Sequence, residues 1–162
     1  MSESEGDPHV LQADHLPTPF SAAEIRDAFQ PGREVRSRLI RPGEEPVVRV
    51  RRSISADAEG GVYEFWTESA DGRRLSEPVR DRSTWLELQG HASMPADQTE
   101  IEDVTIDVPM GRYAGRRYTR TNGDEVDTFW FAMELPGAPV KFEQRVRGEL
   151  VFSSTALEDR RP

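Results

Sequence analysis

Cysteine is absent from this 162-residue sequence. No disulfide, thiolate nucleophile or Cys-ligated metal can therefore contribute, which fits a reducing compartment, and the cytoplasm is the expected location. Lysine is almost absent too: of 21 basic residues only Lys141 is a lysine. The arginines are spread along the chain without forming a patch, and the net charge is -9. Such a surface repels polyanions, so nucleic acid and acidic membrane faces are not expected partners. Long apolar runs are missing as well. None approaches the roughly 18 residues a membrane span needs, and the N-terminus has neither the basic start nor the apolar stretch of a secretory signal. Also missing are G-x-S-x-G, a P-loop, G-x-G-x-x-G and H-E-x-x-H, so the expectation is a protein without a cofactor that is not an enzyme, an enzyme of unknown class being the lesser alternative.

The 18.3 kDa that is present suits one domain with a core of ordinary size. Residues 1–16 are acidic and polar and read as a flexible tail; residues 17–162 read as a single domain. His9 and His15 lie in that tail, where a solvated role outweighs a metal site, so no metal is assigned. Ser21 and Glu24 form a capping box, with Phe20 and Ile25 at its staple positions, predicting a helix over 22–29 whose apolar stripe, Ile25 and Phe29, packs on a sheet. A second capping box, Thr84 and Glu87, predicts a helix over 84–92 with Trp85, Leu88 and Ala92 on one face. His91 at its end reads as a helix-terminal histidine rather than a catalytic base.

Between and after these helices the pattern is that of an antiparallel meander of about nine strands. Val48, Val50 and Ile54 share one face of a strand and Arg49, Arg51 and Ser53 the other, so one side of it is expected to be wet. Asn122-Gly123 marks a hairpin. With those two as the loop residues, paired positions sum to 245, which sets Arg120 against Glu125, Gly115 against Trp130 and Tyr118 against Asp127. One face then carries Arg116, Tyr118 and Asp127 beside Phe129, Phe131 and Met133. This polar trio could bind a small polar group, but an ion pair with a tyrosine at the sheet rim is the preferred reading. In Phe129–Glu143 the strands alternate about Pro136-Gly137, which suits a type II turn, so the segment reads as a bend. Lys141 reads as a surface charge.

Residues 104–142, with Val108-Pro-Met-Gly111, Tyr113, Arg117-Tyr118, the Asn-Gly hairpin, Phe129-Trp-Phe131 and Pro136-Gly-x-Pro-Val-Lys141, resemble bacterial domains of unknown function related to lipoprotein-carrier (Lol-type) proteins. The resemblance implies a curved antiparallel sheet, an unclosed barrel, wrapped over one or two helices on an apolar concave face; it supplies no catalytic residues. The expectation is thus a mainly β (α+β) half-barrel that binds an apolar or amphipathic small molecule, with Trp85, Arg116, Tyr118, Asp127, Phe129 and Phe131 as candidate ligand contacts. The alternative is a protein-interaction domain, a homodimer included, without a small-molecule cavity.

Overall fold

The structure, a computed structural model, describes residues 6–162. Helix α1 (Ala22–Ala28) precedes strands β1 (Glu34–Ile40), β2 (Val47–Ala56), β3 (Gly60–Ser69) and β4 (Val79–Thr84). Helix α2 (Trp85–Gly90) then leads through a short 3-10 turn to β5 (Thr99–Val108), β6 (Gly111–Asn122), β7 (Glu125–Ala132), β8 (Lys141–Val146) and β9 (Glu149–Arg160). All nine strands join one antiparallel sheet ordered β4-β3-β2-β1-β9-β8-β7-β6-β5. Two meanders thus run outward from a central seam where β1 pairs with β9. Bulges interrupt the β1–β9, β2–β3 and β8–β9 ladders, and bulges bend strands. The curvature brings β5 against β9 although three strands lie between them in the sheet. The outcome is the expected curved half-barrel.

Both predicted helices form, each opened by its predicted capping box. They lie on the concave face because their apolar sides have nowhere else to be buried. Phe20, Ile25 and Phe29 meet Trp85, Met94, Tyr118 and Phe131 in the main core, with Leu88 and Ala92 packed against it. Gly61 makes this docking feasible, since a Cβ there would come within 2.6 Å of the Phe29 ring and 2.9 Å of the Trp85 ring. A second cluster, Ile106, Ala132, Val140 and Ala156, fills the space where β5 folds toward β9.

Three expectations are corrected. Residues 6–16, expected to belong to a flexible tail, are tied to the domain: Leu16 N–H donates to Met94 O at 2.9 Å, and Ala96 N–H to Asp14 O at 2.9 Å. Buried Gln89 donates to Pro8 O at 2.8 Å and to Thr18 Oγ1 at 3.0 Å while accepting from the Ala22 N–H at 2.9 Å. Backbone groups of the segment, rather than apolar side chains, supply its attachment. His9 meets Glu24 at 2.9 Å and His15 meets Ser93 at 2.8 Å.

The β6–β7 hairpin is also displaced from its expected register. Asn122 pairs with Glu125, so Gly123 and Asp124 are the turn residues, and Gly123 alone adopts positive φ, 63°, as a type II′ turn requires. Arg120 consequently faces Asp127, Tyr118 faces Phe129 and Gly115 faces Ala132. The shift is by two residues, so every side chain keeps its predicted face. Gly115 is covered by Ile106 and the Phe131 carbonyl instead of by Trp130, as a Cβ there would lie 2.4 and 2.2 Å from them.

Finally, Met133–Val140 is a loop and not a tight bend. Strand β7 ends at Ala132 and β8 begins at Lys141, with Val140 N–H returning to Trp130 O at 2.9 Å.

Candidate functional site

Between the sheet and the helices lies a half-open cavity of about 720 Å³. Its floor comes from the concave positions of β1, β2, β3, β7, β8 and β9, its roof from α1 and α2, and one wall from residues 135–140. One half is aromatic. Phe129 lies 6.3 Å from Phe131, 4.8 Å from Phe142, and Phe142 lies 5.8 Å from Phe152, centroid to centroid. The ladder follows from strand pairing, because Phe129 faces Phe142 directly and Phe142 neighbours Phe152 on the diagonal.

The other half is cationic. Arg49 and Arg51 project into the cavity from β2, Arg49 lying 4.6 Å over Phe65 and Arg51 4.2 Å over Tyr63. These are the residues of the face expected to be wet, so the arginine side of β2 is the cavity side. Burial pushes the Arg51 guanidinium below the usual arginine range; the positive charges of Arg49 and Arg33 add to this, and Tyr63 opposes it. Neither Arg49 nor Arg51 meets a carboxylate or another side-chain or backbone acceptor among the described residues. Arg33 differs: it holds Asp159 through both carboxylate oxygens at 2.9 and 2.7 Å, and it donates to Ala28 O at 2.9 Å and Pro136 O at 3.3 Å. Arg33 is thus a strut that fastens the end of α1 and the 133–140 loop to β9.

The convex face of the same strands is the opposite case. Val50 is fully buried there beside Trp66, which is 3% exposed. Trp66 Nε1 donates to Glu68 at 2.8 Å, Arg36 donates to Glu68 at 2.8 Å and to Glu34 at 3.2 Å, and Arg52 donates to Glu34 at 3.0 Å. Arg52 and Arg74 both lie over the Trp66 ring, at 5.1 and 4.6 Å. The Trp66 N–H and then Arg36 hold the Glu68 carboxyl below its ordinary range.

Of the candidate contacts, Phe129 and Phe131 line the cavity. Trp85 is buried between α2 and β3, edge-on to Phe29 at 5.1 Å, with its N–H on Asp57 O at 3.0 Å. The polar trio does not converge. Tyr118 is wholly buried and donates to Pro17 O at 2.7 Å, and burial pushes its pKa up to about 12, with Arg116 pulling the other way. Arg116 turns to Asp103 at 3.6 Å. Asp127 sits between Arg120 and Gln144 in the cross-strand row, and its Oδ1 is buried without a partner. Burial, then the neighbouring Glu125, raise its pKa to about 6. His91 is exposed on the cavity rim. Lys141 lies 4.8 Å over Trp130 and 3.8 Å from Glu143. Sequence reading missed Arg49, Arg51 and the 135–140 wall; an Arg-x-Arg alternating with valines was the available signal for the first two.

Among the described residues no helix is long and apolar enough to cross a membrane, and no three His, Asp or Glu side chains are grouped to hold a metal ion. No family model and no curated protein matches the chain. A solved structure of similar shape is the Pseudomonas aeruginosa MucA/MucB complex, in which one chain aligns with a TM-score of 0.58 at 12% identity. The match covers 84% of this chain and 54% of that one, so this chain spans about half the length of its neighbour. At that identity the likeness is one of fold alone, a curved antiparallel sheet.

Proposed function

We propose that this chain is a non-enzymatic binding module that takes an apolar or amphipathic ligand into the cavity between the sheet and the helices. One observation carries the reading: the cavity of about 720 Å³ falls within the roughly 300–1,000 Å³ of small-molecule sites and has their composition, an aromatic and aliphatic lining with a few convergent polar groups. The Lol-type resemblance of residues 104–142 points the same way. Uptake of the neutral, environment-sensitive fluorophore aminoanthracene tests it. Saturable fluorescence enhancement is expected in the native chain, with loss in Ser154→Trp, whose indole would occupy the floor between Phe142 and Leu39. No saturable uptake by the native chain would defeat the reading.

A second reading is a protein-interaction module. It draws on the likeness to a chain found in a complex of two proteins and on Val79 of edge strand β4 and Leu86 of α2, which are 51% and 60% exposed. Native mass spectrometry separates the two, a retained small molecule favouring the first and a stoichiometric protein partner or dimer the second.

A further inference from the structure

The cavity reading leaves unexplained the two arginines that have no protein acceptor among the described residues. A guanidinium carries five N–H donors and a fixed charge. An aromatic ring beside it attracts the charge but accepts none of those donors in the manner of a carboxylate. Three arginines line this cavity, and Arg33 is fully engaged by Asp159, Ala28 O and Pro136 O. Asp159 is thereby occupied. The other carboxylate in the wall, Asp81, stands exposed on edge strand β4 and accepts from the Arg82 N–H at 2.8 Å. Arg49 and Arg51 sit two residues apart on one face of β2, about 7 Å along the strand, close enough to approach one anion together.

A ligand entering this space displaces water from both cations. A neutral ligand would leave them desolvated and uncompensated, a positively charged one would be repelled, and an anion would supply what each lacks. The aromatic ladder continues away from the cationic half and accepts a hydrocarbon chain. We infer that Arg49 and Arg51 hold the anionic head of a single-chain amphiphile, a long-chain carboxylate or phosphate monoester, whose tail lies along Phe129, Phe142 and Phe152; the inference rests on the cavity being a ligand site. Against the net charge of -9, the paired arginines are a local inversion of sign that favours an anion there.

The test displaces bound aminoanthracene from the full chain with three ligands of equal chain length below their micellar concentrations: hexadecanoate, hexadecyl phosphate and hexadecanol. Both anions are expected to compete at least about tenfold more strongly than the alcohol, and Arg51→Gln to remove that margin, the equivalent of one charge-assisted hydrogen bond pair, while alcohol affinity changes less than about twofold. Arg49→Glu at the exposed mouth provides a second variant independent of the buried position and should abolish the anion preference. Whichever anion binds more tightly identifies the head group, and either order supports the site. Equal binding of anions and alcohol, or a preference unaffected by both substitutions, overturns the anion site while leaving the cavity reading in place. If the native chain takes up neither probe nor alcohol, the cavity reading itself has failed.

Discussion

Strand β2 presents arginine to both faces of the sheet, and the two faces treat it in opposite ways. On the convex side Arg52, together with Arg36 from β1, closes a network with Glu34, Glu68 and Trp66 in which both cations have carboxylate partners. On the concave side Arg49 and Arg51 lie over Phe65 and Tyr63 with no carboxylate partner among the described residues. The same residue type, one position apart, is structural where its partner is built in and available where the partner is left out. Burial alone does not distinguish the roles; the presence or absence of a counter-charge does.

Substitutions can break or sharpen that contrast. The largest effect is expected for Trp66→Ala, which removes the buried centre of the convex network and should lower stability by about 3–5 kcal/mol in urea titrations. Glu68→Ala leaves the Trp66 N–H without its acceptor and Arg36 with Glu34 as its remaining close partner, and should cost roughly 2–3 kcal/mol. Its partner experiment is acidification. Because the folded-state pKa of Glu68 is depressed, its contribution is present above the ordinary value and lost as pH falls through the lowered one, so wild type and Glu68→Gln should converge in Tm under acid conditions. Asp127 supplies the reverse sign. Its pKa is raised to about 6, so ionisation weakens the fold progressively as pH rises from its ordinary value through about 6. Asp127→Asn should gain about 1 kcal/mol at neutral pH, discounted for its partial exposure, and nothing in acid. Smallest of all, Arg51→Met should leave unfolding stability within about 0.5 kcal/mol, since it removes a desolvated charge with no acceptor among the described residues. A loss comparable to that of Glu68→Ala would place Arg51 with the structural arginines.

Local chemistry made the helices legible: Ser21 with Glu24 and Thr84 with Glu87 start them where they start. Alternation likewise revealed which side chains share a face, and the hairpin shift by two left that intact. What alternation cannot state is which face looks inward. Val50 is buried on the convex side because it is paired with Arg36 and Trp66 on the neighbouring strands β1 and β3, and such cover is set by tertiary pairing. The wall at 135–140 was hidden for a related reason: Pro136-Gly137 satisfies turn chemistry, yet the Arg33 contact to Pro136 O comes from more than a hundred residues upstream. The tethered segment before α1 escaped notice because it is held by backbone groups, such as Pro8 O on Gln89, that composition does not register.

The β1–β9 seam has a bearing on assembly. During synthesis β1 can acquire β2 at once, but its other edge stays open until Glu149–Arg160 has been made, when the two meanders can zip together. Pairing at such sequence separation is entropically slow. The cavity, whose floor crosses that seam, is therefore among the last parts of the molecule to come into being.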